Sequence, residues 1–293
     1  YTEEITEYKG EYENGNLVDV FSQKGSYMGT GFINTYSKIG VRIISTNAND
    51  KFDETFFKRR LQHAYNYRKT VMQEDITNCR LIFGEADHFP GLTIDRFNNL
   101  IVIQVLSLGI EKRIEMLIHL LDEILKEDGQ TIDGYFFRND VKIRELEGMK
   151  QFKGWYEGLP HIDSCLTTIM ENGIVYNVDI ENGQKTGFFL DQKYNRKAIQ
   201  DISKGKTVLD CFTHTGSFAL NAAKGGASKV TAVDISQTAI DMAAVNAKNN
   251  NLNIEFVAAD VFDYLEDLLK KPRIYDFIIL DPPAFTKSRD TIR

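Results

Sequence analysis

The chain has 293 residues, enough for about two domains at roughly 150 residues each, and its 42% hydrophobic and 26% charged content lies in the range of ordinary globular proteins. No uncharged apolar run approaches the roughly 20 residues of a membrane helix, and a formal charge of −7 excludes a chain that wraps nucleic acid with its whole surface. Cys79, Cys165 and Cys211 are odd in number and far apart, which excludes a disulfide framework and a zinc site of paired spacing; the expectation is a reducing, cytoplasmic setting without a metal, and Tyr1 in place of Met reads as a trimmed front.

Residues 10–45 read as short strands broken by glycine, at 17–21, 28–33 and 41–44, with turn residues recurring every 8 to 12 positions as in a small β barrel. From Asp53 to about Ile76 the period changes. Phe57, Leu61, Ala64, Tyr65, Arg68, Val71 and Met72 recur at three and four, which predicts a helix that connects two domains. Its other face carries the basic island of the chain, Lys58, Arg59, Arg60, Arg68 and Lys69. Residues 58–80 hold six basic and two acidic side chains, against five and nine in residues 1–57.

Residues 92–97 and 100–106 form a predicted hairpin, because Asn98-Asn99 tolerates the left-handed backbone of a two-residue turn. Ile110, Ile114, Leu117, Ile118, Leu121, Ile124 and Leu125 then keep helical spacing as far as Gly129, and strand candidates follow at 134–137 and 174–180. The middle third is therefore an α+β unit. From Lys206 the pattern alternates: strand 207–211, helix about 216–224, strand 229–234, helix 236–249, strand 254–258, helix 262–270, strand 275–281. Such alternation predicts right-handed βαβ crossovers and a parallel, doubly wound α/β sheet.

Ligands of such sheets bind at the carboxyl ends of the strands. The first end, Asp210-Cys211-Phe212-Thr213-His214-Thr215-Gly216, has one glycine where a dinucleotide fold wants three, so it suits an uncharged or cationic ligand head better than a pyrophosphate. Asp234 ends the second strand, 24 residues downstream of Asp210, where an acidic residue grips ribose hydroxyls in nicotinamide or adenosyl sites alike. Asp260 at the third end is placed to accept from an adenine amino group. Asp281-Pro282-Pro283-Ala284-Phe285 follows the fourth.

These loops in this order resemble the ligand loops of class I S-adenosylmethionine-dependent methyltransferases. The Asp-Pro-Pro-Ala-Phe form, together with Lys185-Thr186-Gly187-Phe188-Phe189-Leu190-Asp191-Gln192, is similar to one branch, the RlmI-like large-subunit ribosomal RNA methyltransferases. Gly84-Glu85-Ala86-Asp87, Pro90-Gly91-Leu92 and Asp95-Arg96 extend the resemblance upstream, and Gly29–Asn34 with Val41-Arg42 resembles the family's N-terminal PUA barrel. The resemblance implies a three-part chain: a PUA-like barrel (about 1–58), a central α+β domain with its entry helix (59–180) and an incomplete Rossmann-like methyltransferase domain (181–293).

It further implies that Asp210 and Gly216 hold the methionine part of S-adenosylmethionine, Asp234 the ribose and Asp260 the adenine, with Phe212, Ile235 and Val261 beside them in the cofactor set. Phe188 and Gln192 would line the methyl-transfer cleft. Asp281 would face the target base, and the two prolines would stiffen the loop that presents Phe285 to an extruded base. The branch is associated with 5-methylcytosine, whose chemistry uses a thiolate adding at carbon-6. In the family that cysteine lies in a loop after a later strand, so a chain ending at Arg293 reads as C-terminally truncated.

Other readings stay open. Cys211 reads as a buried structural thiol, His214 as a loop packing residue and Asp210 alone as a helix cap, while the basic stretch around Cys79 would lower its pKa. Lys58, Arg59, Arg60, Arg68 and Lys69 are either the solvated face of a helix or, beside a PUA-like barrel, an RNA-binding strip. Function is expected to be methyl transfer to cytosine carbon-5 of 23S ribosomal RNA; the alternatives are another base such as guanine, or a non-catalytic RNA-binding or assembly protein with a vestigial cofactor pocket. The expected partner is large-subunit ribosomal RNA, with a homodimer left open and no membrane.

Overall fold

The computed structural model describes residues 1–270 and 275–283. They divide into two compact units, the first made of Tyr1–Thr167 and Val178–Leu190, the second of Thr168–Asn177 and the chain from Asp191 onward.

In the first unit, strands β1 (Leu17–Phe21), β2 (Tyr27–Ile33) and β3 (Val41–Ser45) form an antiparallel sheet in chain order, with Leu17 opposite Phe32 and Ile33 opposite Val41. Gly31 lets β3 come close: a Cβ there would stand 2.3 Å from the Arg42 carbonyl oxygen. Helix α1 (Glu54–Met72) begins where the Asp53 carboxylate accepts from the Phe56 amide at 3.0 Å. It buries Phe56, Phe57, Leu61, Ala64, Tyr65 and Arg68, so the period expected from the sequence holds from Phe57 to Arg68, whereas Val71 of that period is exposed.

A 3-10 turn leads into β4 (Asn78–Phe83), and then come β5 (Leu92–Phe97) and β6 (Leu100–Val105), the expected hairpin. Phe97 pairs with Leu100, and of the two turn residues Asn98 takes the left-handed backbone, φ 56°. The predicted helix that follows is split into α2 (Leu108–Glu111) and α3 (Ile114–Glu127); β7 (Gly134–Asn139), α4 (Ile143–Leu146) and β8 (Phe152–Trp155) complete a five-stranded sheet in order β4-β5-β6-β7-β8. Leu61, Ile94, Ile103, Leu117, Leu121 and Tyr135 share one core under this sheet. Full burial of side chains of this size contributes about 1.5–3 kcal/mol each.

The strands β9 (Leu166–Glu171) and β10 (Ile174–Asp179) pair with each other. The second unit continues with α5 (Lys193–Ile202), β11 (Thr207–Cys211), α6 (Ser217–Lys224), β12 (Lys229–Asp234), α7 (Gln237–Asn249), β13 (Glu255–Ala258), α8 (Val261–Leu269) and β14 (Phe277–Leu280). Its four strands are parallel, in order β13-β12-β11-β14. Val208, Val230 and Ile279 pack with α6 residues in one cluster, while Leu209, Cys211 and Val233 pack with Val261 in another. Burial on both faces is why these strands are continuously apolar in sequence. The chain thus carries the expected Rossmann-like doubly wound sheet. Strand order reverses between β11 and β14, which makes their carboxyl ends the place to look for a ligand site.

Candidate cofactor and RNA sites

Between β11 and α6 the chain turns sharply, and Phe212, His214 and Gly216 hold left-handed backbone, φ 60°, 50° and 82°. A Cβ at Gly216 would stand 2.7 Å from Leu220 Cδ1 and 2.9 Å from Ala243 Cβ, so glycine is the residue that fits. Asp210, 1% exposed, holds this turn from within: its Oδ2 accepts from the Thr213 hydroxyl at 2.5 Å and from the Ala219 amide at 3.0 Å. The second bond satisfies an amide in the first turn of α6 that has no partner within the helix. Burial pushes the Asp210 carboxyl up to about 7; the two hydrogen bonds oppose that rise, and the charges of Asp281 and Asp234 add to it.

At the end of β12, Asp234 accepts from the His214 amide through Oδ2 and from the Ser236 amide through Oδ1, both at 2.9 Å. The first and second strand ends are thereby tied together. Each carboxylate oxygen still has acceptor capacity for a hydroxyl. His214 uses its backbone here, and burial lowers its imidazole pKa against the pull of Asp234, which agrees with a packing role. Ile235, next in the chain, is 71% exposed.

After β13, Asp260 caps α8 by accepting from the Phe262 amide at 2.8 Å. Val261 turns into the core, and Phe262 stays 57% exposed, its ring edge-on to Phe212 at 6.1 Å between centroids. Asp281, Pro282 and Pro283 are exposed just beyond β14, while Phe285 lies outside the described residues. The fold therefore gathers Asp210, Phe212, Gly216, Asp234, Ile235, Asp260, Val261 and Asp281 at the carboxyl ends of one sheet. Thr213 and Phe262 belong to the same site and were missed in the sequence. The position of Phe262, two residues after the strand-end Asp260, was the available signal.

Gln192 lies before α5 in the second unit, its Oε1 accepting from the Asn195 side chain at 2.6 Å. Phe188 is buried in the first unit. The loop leading to it is fixed by Thr186, which donates to Asp95 at 2.6 Å, and by Arg138, which donates to the Ile180 and Gly183 carbonyls at 3.0 and 2.9 Å.

The five basic residues of the expected RNA strip all lie on α1 but differ in what they touch. Lys58 donates to Glu123 and Glu127 at 3.1 and 3.3 Å, Lys69 to Asp128, and Arg59 lies 3.6 Å from Asp50. Arg68 is turned inward, bidentate on Asp87 at 2.7 and 2.6 Å and bonded to the Arg80 carbonyl at 3.0 Å. Arg60 donates to the His88 carbonyl at 3.1 Å and lies over the Phe56 ring at 4.2 Å. The expectation for Cys79 is corrected: burial pushes its thiol up to about 12, outweighing the opposing pull of Arg68 and Arg96.

A family model for S-adenosylmethionine-dependent methyltransferases matches residues 153–292, and one for PUA-like domains matches residues 1–46. The ribosomal RNA large subunit methyltransferase I of Photobacterium profundum is 39% identical over 282 residues, which cover 95% of this chain and 69% of that protein. Its namesake in Escherichia coli O139:H28 is 36% identical over 292 residues, 98% of this chain and 72% of that protein. Among solved structures, one from Streptococcus mutans described as a SAM-dependent methyltransferase aligns with a TM-score of 0.79 at 25% identity, covering 96% of this chain and 73% of that one. A second solved structure, described as a methyltransferase complexed with SAH, aligns with a TM-score of 0.79 at 26% identity, covering 95% and 70% of the two chains.

Proposed function

Since this chain belongs to the family of ribosomal RNA large subunit methyltransferases I, we propose that it transfers a methyl group from S-adenosylmethionine to a base of large-subunit ribosomal RNA, at carbon-5 of a cytosine. The observation that carries this reading is the set of carboxylates at successive strand ends beside the exposed side chains of Ile235 and Phe262. That donor set fits the cofactor. Asp234 would accept from the ribose hydroxyls, Ile235 and Phe262 would cover the adenine faces, and Asp260 would accept from its amino group. Asp210 acts through the loop, because its carboxylate is occupied by Thr213 and Ala219.

When bound, S-adenosylmethionine supplies an electrophilic sulfonium methyl, so the protein's task is to place a base in line with it and exclude water. In this reading Asp281 meets the base, and Pro282-Pro283 limits the freedom of the loop that carries it. The basic face of α1 contributes RNA contact. The three-part division at about residues 58 and 180 goes with this proposal.

Carbon-5 methylation requires a thiolate. Burial pushes Cys211 up to about 11 and Cys79 to about 12, and it also raises Cys165, which suits buried or structural thiols; in the family the reactive cysteine lies in a loop after a later strand. The alternative reading is methylation of another base such as guanine. Nucleoside mass spectrometry of ribosomal RNA treated with the protein separates the two. For the cofactor, Asp234→Ala is expected to weaken S-adenosylmethionine binding at least tenfold in calorimetry; undiminished affinity overturns the assignment.

A further inference from the structure

Arg59, His63 and Tyr67 are spaced four residues apart and, with Arg60, form one stripe of α1. Facing this stripe is the 3-10 turn Gly84–Asp87 and His88, and between them lies a cleft of about 330 Å³ lined by Arg59, Arg60, His63, Tyr67, Asp87 and His88. That volume is at the lower end of small-ligand sites. We propose that this cleft binds one unpaired nucleotide of an RNA single strand, its phosphate on Arg60 and Arg59 and its base stacked on Tyr67. The proposal rests on the ribosomal RNA reading above and names the part of the RNA that the first unit holds.

The walls are preformed, which keeps the ordering cost of binding low. Arg68 grips Asp87 with both terminal nitrogens, and Asp87 also accepts from the Phe83 amide at 2.6 Å. The His88 amide closes the turn on the Glu85 carbonyl at 3.1 Å, with His88 in the left-handed region, φ 60°. Arg60 is held in place by the Phe56 ring and by the His88 carbonyl.

The charges add up to an anion site. Asp87 is neutralised by Arg68, and Asp50 stands 3.6 Å from Arg59. Among the described residues no carboxylate lies within ion-pair distance of Arg60, whose hydrogen-bond partner is a neutral carbonyl. A guanidinium with N–H groups to spare matches phosphate oxygens. Tyr67 is 59% exposed at the rim of the cleft, and unstacked bases use such aromatic faces. The neighbouring cleft on the other side of Arg59, lined by Glu54, Lys58, Gln62 and Glu123 among others, mixes both signs and has no aromatic side chain.

The test uses the full chain with a labelled single-stranded oligoribonucleotide and a duplex of the same length, followed by fluorescence anisotropy, with S-adenosylmethionine affinity measured in parallel. Tyr67→Ala is expected to weaken single-strand binding about tenfold, with Tyr67→Phe close to the parent chain. Arg60→Gln is expected to weaken it and to reduce the salt slope by about 0.7, one phosphate contact on a single strand. Unchanged single-strand affinity in both Tyr67→Ala and Arg60→Gln overturns the cleft while leaving methyl transfer standing. So does a loss that is equal for duplex and single strand. A parent chain that binds neither RNA overturns the cleft and the ribosomal RNA reading together. Absent S-adenosylmethionine binding with the Tyr67 effect intact supports the cleft and overturns the methyltransferase assignment.

Discussion

Arg68 donates both terminal nitrogens to Asp87 inside the first unit, whereas Lys69, one residue later, meets Asp128 at the surface. The two cations are indistinguishable by charge in the sequence, and burial decides what each is worth. Removing Arg68 takes the guanidinium from a shielded carboxylate and one donor from the Arg80 carbonyl, leaving Asp87 only the Phe83 amide among its bonds above, so Arg68→Gln should lower the unfolding free energy by about 3–5 kcal/mol. Lys69→Gln should change it by no more than about 1 kcal/mol. Urea titrations of the two variants measure both, and equal effects would remove the distinction. Cys79 carries the same lesson. Its basic neighbours in sequence suggested a lowered pKa, but burial dominates and raises it.

At the scale of elements, α6 depends on a residue outside itself. Asp210, at the end of β11, bonds the Ala219 amide and the Thr213 hydroxyl, and its carboxyl is pushed up to about 7 chiefly by burial. In the unfolded chain an aspartate titrates near about 3.9. Between roughly pH 4 and 7 the folded state therefore holds a proton that the unfolded state has lost, so this group's contribution is most favourable below that window and falls as pH rises through it. The thermal midpoint of the parent chain should accordingly drop from pH 5 to pH 8 by more than that of Asp210→Asn; parallel behaviour would show that Asp210 does not carry the effect.

The alternating βα elements and the Asn98-Asn99 hairpin were legible because their periods are regular. The strands β4 and β8, the first strand of the β9–β10 pair, and α5 were not. A bulge between Arg80 and Ile82 breaks the period of β4. Helix α5 is anchored by Arg196, bidentate on Glu171 at 2.6 and 2.7 Å, so its buried contact reads as polar in the sequence.

At the scale of the whole molecule, the two proposed ligands belong to different units. The strand-end carboxylates are all in the second unit, and the cleft beside α1 is in the first. Hydrogen exchange with S-adenosylmethionine should slow amides around residues 210–216, 234–236 and 259–262. With a single-stranded oligoribonucleotide the slowing should instead fall on α1 and residues 84–88. Protection by both ligands in the same unit would contradict this division. The sequence by itself determined the doubly wound sheet, the hairpin and the positions of the strand-end carboxylates, because each follows from spacing between near neighbours in the chain. Tertiary structure alone decided that Arg68 pairs with Asp87, that the Asp210 carboxyl and the Cys79 thiol are raised, and that α1 and the 84–88 turn enclose a cleft. The Arg68–Asp87 pair joins residues 19 apart in the chain, and burial of Asp210 and of Cys79 depends on the water that the packed elements exclude.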